Sequence, residues 1–215
     1  MKSLFLGIAF IILIGVGGLL YRNAVEHPFR PITCPLDALV CPDGTSVGRT
    51  GSSCIFAACP PPNISLSDVS ISFALPAGFT PIPLPDSASV AAYGLPATES
   101  SFNDGIIIIR RFPITASSTA LATIQETAIN GASGLLVGVT SFTSTLLGSH
   151  RFTVVSIERF EGVIDTAYYL ARATDVLRFD AIDMNVMNWT DPNLDTTTLP
   201  TRRALVELLT TLQGQ

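Results

Sequence analysis

Four cysteines, Cys34, Cys41, Cys54 and Cys59, fall within 26 residues, and the rest of the chain has none. Thiols can ligate a metal, act as nucleophiles or pair as disulfides. The spacing C-x6-C-x12-C-x4-C lacks the close C-x2-C pair that clamps tetrahedral zinc. A short, loop-rich segment dense in cysteine reads as a disulfide framework, which persists only outside the cytoplasm and substitutes for a core too small to bury. A Pro-Asp-Gly turn signal at Pro42, Asp43 and Gly44, with Gly48 and Gly51 beyond it, fits such a loop.

Other reactive side chains are scarce. The two histidines, His27 and His150, lie far apart in sequence, and the nearest serine to His150 is its turn neighbour Ser149. The segment Gly131-Ala132-Ser133-Gly134 lacks Gly-x-Ser-x-Gly spacing, so no nucleophile elbow is present. Lys2 is the only lysine, which leaves the bulk of the chain without an ammonium group for a Schiff base or a P-loop. Asp180, Asp183, Asp191 and Asp195 form the one acidic cluster. Oxygens from Asn188, Thr190 and Asn193 lie nearby, but EF-hand spacing and its bidentate Glu are missing. Aspartates beside Pro and Asn read more simply as turn and helix-entry residues. Trp189, the only tryptophan, is expected to close one end of the core. We expect no catalytic residue, no cofactor and no metal, and a hydrolase is the least favoured class because no nucleophile-base pair can be named.

Charge narrows the partners. From Ile64 onward, 14 Asp and Glu face 8 Arg, a balance of −6 with no basic stripe, so nucleic acid is excluded as an expected partner. Charged residues make up only 13% of the chain, which implies a neutral-polar, weakly acidic surface.

The cysteines follow the only membrane-length apolar run. Ser3 to Tyr21 holds 19 residues without a charge, about 28 Å as a helix, which matches a bilayer's hydrocarbon core. No clean A-x-A cleavage site follows it, so residues 1–22 read as an uncleaved signal anchor contacting the membrane through 3–21. With disulfides behind it, the N-terminus is expected in the cytoplasm and the bulk outside. The remaining segments are a juxtamembrane linker at 23–33, the disulfide module at 34–59, a proline linker at 60–63 and a domain at 64–215.

Within that domain, Val69, Ile71, Phe73 and Leu75 alternate with smaller residues up to Pro76, predicting a half-buried strand. Pro81, Pro83 and Pro85 exclude a central strand over their stretch. The β-branched run Ile106 to Ile109, entered from Asn103-Asp104-Gly105, predicts a strand covered on both faces. Ser117 or Ser118 is expected to cap a helix running to Asn130-Gly131. Four antiparallel strands should follow near Val139 to Leu147, Phe152 to Phe160, Val163 to Ala171 and Val176 to Ile182. Turns at Gly148-Ser149, Glu161-Gly162 and Thr174-Asp175 are short enough for a meander. A last helix opens at Pro200 and aligns Leu205, Leu208, Leu209 and Leu212. The order predicts an α+β fold, mainly an antiparallel sheet with two packed helices, behind a transmembrane helix and a small disulfide-rich module.

Two resemblances add to this. The run from Cys41-Pro42-Asp43-Gly44 through Val47-Gly48-Arg49 to Cys54 and Cys59-Pro60 resembles a four-cysteine module of bacterial envelope proteins, from which it departs at Ser52 and Ile55. It also looks like the front of a Kazal inhibitor. That likeness implies crossed pairing, Cys34 with Cys54 and Cys41 with Cys59, and an inhibitory loop presenting Leu36. The segment from Phe152 through Tyr168-Tyr169-Leu170 and Phe179 to the terminal leucine helix resembles the PsbP-like fold in element order. That resemblance implies a non-enzymatic, extracytoplasmic accessory protein that binds another envelope protein, and it carries over no functional residue. The alternatives for the cysteine module stay open: a protease-inhibitor-like element displayed from the membrane, or a stapled spacer.

Overall fold

The computed structural model describes residues 2–26, 34–41, 46–59, 62–95 and 105–214. The turn at Pro42 to Gly44, His27, Pro60 and Pro61 of the linker, and Asn103 and Asp104 lie outside them. The chain divides into two compact units, Met1–Asp37 with Gly48–Phe56, and Ala38–Val47 with Ala57–Gln215.

In the first unit, α1 runs Lys2–Glu26. Its side chains are described at Gly7 and 11–22, and among the described residues no helix is long and apolar enough to cross a membrane. The reading of 3–21 as a membrane segment therefore rests on the sequence. Strand β1, Ala38–Val40, belongs to the second unit; β2 is Ser46–Thr50, of which Gly48 onward belongs to the first, as does β3, Ile55–Phe56. Arg49 pairs with Phe56 and Thr50 with Ile55 across a turn in which Gly51 and Cys54 both take positive φ.

The second unit is α+β. A small hairpin joins β4 (Ile64–Leu66) to β5 (Ile71–Phe73). Where alternation predicted one strand over Val69 to Leu75, the chain makes a 3-10 turn at Ser67–Val69, and Ser70 turns left-handed at φ 53° before β5. The burial alternation survives, because Val69, Ile71 and Phe73 all enter the core. The main sheet comprises β6 (Thr80–Pro81), β7 (Ser89–Gly94), β8 (Ile106–Pro113), β9 (Thr143–Leu147), β10 (His150–Phe160), β11 (Val163–Ala171) and β12 (Asp175–Asp183). Its order is β6-β7-β8-β12-β11-β10-β9, with every neighbour antiparallel. The isoleucine run thus sits centrally, between β7 and β12, with Ile107, Ile108 and Ile109 buried. Proline 81 lies on the outermost strand, where a missing N–H costs no ladder bond.

The meander β9 to β12 follows from its turns. Gly148 (φ 57°) starts a two-residue loop, and Glu161 (φ 49°) and Gly162 (φ 80°) supply the double positive φ of a type I′ hairpin. Helix α2 spans Ala120–Thr127 and α3 spans Pro200–Thr210. Proline 200 begins α3 where its fixed φ suits the first turn, and Leu205, Leu208 and Leu209 point into the core with no exposure.

Helix α2 is shorter than its sequence suggests at both ends. Thr119, not Ser117 or Ser118, caps it by accepting from the Ala122 N–H at 3.2 Å. Both serines are engaged one turn earlier with Thr115. The helix stops at Thr127, whose carbonyl accepts from Arg178 Nη1 at 2.8 Å, and Asn130 is drawn away to donate to the Ile157 carbonyl. Likewise, the strand expected from Val139 begins at Thr143, because Val139–Ser141 winds into a 3-10 turn.

Candidate functional site

In the first unit, Cys34 is bonded to Cys54, with Cα atoms 5.3 Å apart. In the second, Cys41 is bonded to Cys59 at 5.6 Å. Leu36 is fully exposed, beside Asp37, whose carboxylate accepts a two-pronged bond from Arg49 Nε (2.7 Å) and Nη2 (2.9 Å). Those hydrogen bonds hold the Asp37 carboxyl below its ordinary pKa. The Arg49 guanidinium also lies 4.1 Å over the Phe56 ring.

The acidic cluster does not assemble. Asp183 is buried and caps α3, accepting from the backbone N–H of Thr201 at 2.8 Å and of Arg202 at 3.3 Å. Asp191 and Asp195 accept from backbone N–H groups two residues on, at Asn193 and Thr197, as turn formers do. Trp189 packs on Ile164, Val186 and Leu199, edge-on to Phe160.

Asp180 belongs to a buried ladder that crosses one face of the sheet. Arg110 on β8 and Arg178 on β12 are register partners, and like charges in that position repel. Asp180 bridges them, one oxygen to Arg178 Nε at 2.6 Å and the other to Arg110 Nη1. Arg110 also donates to Asp86 at 2.8 Å, and Arg178 stands 3.6 Å from Asp165. Burial, then the nearby Asp180, pushes the Asp165 carboxyl well above its ordinary pKa. Among the described residues, Asp165 Oδ1 and the Tyr169 hydroxyl have no hydrogen-bond partner. For Arg178, burial opposes its charge, but Asp180, Tyr169 and Asp165 outweigh it and raise its pKa. Asp180, at the centre of the ladder, is wholly enclosed and out of reach of substrate, while Asp86 at one end is partly exposed. Sequence reading singled out only Asp180; the available signal was charge at alternate strand positions in a charge-poor chain, as in Arg178-Phe179-Asp180.

Several clefts open on the second unit. One, of about 510 Å³, is lined by Asp68, Ser70, Arg111, His150, Arg172 and Asp175 among others. Asp175 is locked there by Arg172 (2.6 and 2.7 Å) and Arg111 (2.6 Å), and the Arg172 bond leads in lowering its pKa. His150 Nε2 donates to the Gly214 carbonyl at 3.1 Å, and Nδ1 lies 3.2 Å from Ser149 Oγ. Ser149, the serine hydrogen-bonded to His150, does not line the cleft, and Ser70, which does, donates instead to the Ser67 carbonyl. The second cleft, about 430 Å³, runs between β9 and α3 and is lined by Thr143, Thr145, Leu147, Val206, Arg202 and Arg203 among others.

The remaining distinctive surface is aliphatic. No residue from Thr127 to Ser149 is charged. After α2 the chain doubles back. Val137 donates to the Ala128 carbonyl at 2.8 Å, Asn130 to that of Leu135 at 2.9 Å, and Asn130 Nδ2 ties the tip to β10. Val137 and Phe142 pack beneath, against the Ile124 and Val155 cluster. Leu135 (68%), Leu136 (62%) and Val139 (66%) are left in solvent, with Ile129 on the same excursion. What this arrangement can do is bind an apolar surface.

No family model and no curated protein matches this chain. It is similar in shape to several solved structures, three of which follow. One is cyanobacterial PsbP (CyanoP) of Synechocystis sp. PCC 6803, at 10% identity over 74% of this chain and 98% of that one, TM-score 0.45. Another is the Saccharomyces cerevisiae Ran-binding protein Mog1p, at 14% identity over 70% and 93%, TM-score 0.44. The third is a Bacteroides thetaiotaomicron protein, at 10% identity over 67% of this chain and 45% of that one, TM-score 0.42. The chain thus spans less than half the length of the last. At these values none of the three bears on function.

Proposed function

We propose that this chain is a membrane-anchored, extracytoplasmic accessory protein with a PsbP-like domain that binds another envelope protein and does no chemistry of its own. The observation that carries the reading is the uncharged excursion after α2, which leaves Leu135, Leu136 and Val139 in solvent. Leaving several large aliphatic side chains together in water has a cost, and such surfaces mark interaction sites. The 19-residue uncharged run at Ser3 to Tyr21 supports tethering, and two disulfides with no free cysteine support an oxidising compartment. A photocrosslinking residue placed at Leu136 in native membranes, with Leu84 as an exposed control, tests it. A discrete adduct from Leu136 and none from Leu84, lost on Leu135→Asp, is expected. Equal, diffuse adducts from both positions sink the reading.

A second reading has one observation in its favour. Leu36, wholly exposed, sits between a disulfide at Cys34 and the Arg49 fork on Asp37, the pre-ordering that a protease-inhibitory loop needs. On this reading the full chain inhibits a chymotrypsin-like protease, and Leu36→Gly abolishes the effect. Absence of inhibition at high micromolar concentration ends it.

A further inference from the structure

We infer that the edge of β9 and the cleft beside it form a docking groove for an extended segment of the partner, which joins the sheet as an eighth strand. The inference rests on the binding-protein reading above and names how that partner is held. Strand β9 is the last in the sheet, with no strand beyond it among the described residues. Natural edge strands are blunted by charge, proline, a bulge or extreme shortness. The opposite edge obeys this rule, because β6 is only Thr80–Pro81 and is followed by Pro83 and Pro85. Strand β9 does not: Thr143-Ser-Thr-Leu-Leu147 is uncharged, has no proline and pairs with β10 without a register shift.

The turn decides which backbone groups are free. Leu147 and His150 flank the two-residue loop Gly148–Ser149, and the residues flanking such a loop form a hydrogen-bonded pair. Bonded and non-bonded pairs alternate, so Thr143, Thr145 and Leu147 bond inward to β10 while Ser144 and Leu146 aim N–H and C=O outward. About four backbone hydrogen bonds are thus on offer to a strand laid along this edge. Leu146, 61% exposed, marks the edge as open.

Side-chain parity supplies the rest. Thr143, Thr145 and Leu147 face the same way and form one wall of the 430 Å³ cleft, and α3 forms the other with Arg202, Arg203, Val206 and Glu207. An added strand sends every second side chain into that space, which is how strand-adding domains pair backbone affinity with side-chain selection. Leu147, Val154 and Val206 give the cleft floor an apolar character. At its lip, Arg202 is held by the Tyr168 hydroxyl at 3.1 Å and by Thr196, whereas the exposed Arg203 guanidinium has no ion pair or hydrogen bond among the described residues. The occupant is accordingly an extended partner segment with a buried apolar side chain and a carboxylate placed for Arg203.

The test uses the full chain in lipid nanodiscs to select from a displayed library of random peptides, followed by an N-methyl scan of the best binder. Removing single N–H groups from the peptide is expected to weaken binding at least tenfold at every second position and little at those between. Exchanging Arg203 for Glu should transfer preference from a peptide carrying Asp to its Lys counterpart, a reversal that a misfolded variant cannot produce. A scan without period two, a library that yields no binder, or a chain that self-associates through β9 and becomes monomeric on Leu146→Pro each overturns the proposal. If Leu135→Asp abolishes peptide binding while the scan stays flat, the groove is wrong and the aliphatic docking surface stands. If the period-two scan holds but Leu136 yields no partner adduct, the groove stands and that surface falls.

Discussion

The two faces of the seven-stranded sheet are built on different principles. Toward α3, Phe73, Phe152, Phe179, Ile107 and Ile109 meet Leu205, Leu208 and Leu209, all without exposure, and the aromatic rings contact edge to face at 6.0–6.4 Å. That face excludes water by area alone. Toward α2, a smaller cluster of Val155, Ile157, Ala167 and Val176 is interrupted by Arg110, Asp180, Arg178 and Asp165. An apolar face tolerates repacking as long as volume is kept, but an ionic ladder is satisfied in one register only. The difference teaches that the α3 face holds the sheet together and the α2 face fixes β8, β12, β11 and the end of α2 against one another.

This contrast can be broken. Phe179→Ala should cost about 3–5 kcal/mol, since the ring is wholly buried. Arg178→Ala should cost a similar ~3–5 kcal/mol by leaving Asp180 enclosed with half its pairing gone. The two losses should then part company. Adding Asp180→Leu to an Arg178→Met background should recover part of the second loss, because Asp180 is no longer buried short of a partner and Arg110 keeps Asp86, whereas it does nothing for the cavity at Phe179. Denaturant midpoints at constant m-value measure both; equal, additive losses on the two faces would remove the distinction.

A smaller effect sharpens it. The Asp165 carboxyl titrates well above its ordinary value of 3.8 because it is buried and lies near Asp180, with Arg178, Arg110 and Glu158 also acting on it. The folded form therefore holds its proton longer than the unfolded chain does. That contribution to stability is full below the ordinary pKa and is lost as pH rises through the folded value. Asp165→Asn cannot ionise, so it should gain on the native chain as pH rises, by of order 1 kcal/mol by neutral pH. Melting temperatures of both proteins across the acid-to-neutral range test this, and a gap that does not change with pH would show that Asp165 is paired well enough to ionise freely.

Much of the architecture was legible because local signals agreed with the fold. The meander is written in alternating strands and in turns whose glycines, Gly148 and Gly162, take the positive φ that two-residue hairpins require. Pro200 and the spacing of Leu205, Leu208, Leu209 and Leu212 place α3. The end of α2 was not legible, because it is set by Arg178, 51 residues away, taking the Thr127 carbonyl. The ladder was also hidden, since nothing local tells a strand arginine that it will meet a carboxylate from another strand instead of water. The acidic cluster failed for the converse reason: Asp180, Asp183, Asp191 and Asp195 are neighbours in sequence, but the strand, the α3 cap and two turns send them to separate tasks.

The sequence by itself determined what depends on near neighbours: an uncharged apolar run, cysteines confined to one segment, strand periodicity, turn glycines and a leucine face. Tertiary structure alone decided which charges are buried together, where a helix stops when a distant guanidinium claims its carbonyl, and which strand is left as an open edge. Those outcomes are sums over contacts far apart in the chain, and a sheet's edge exists only once all its other strands have been placed.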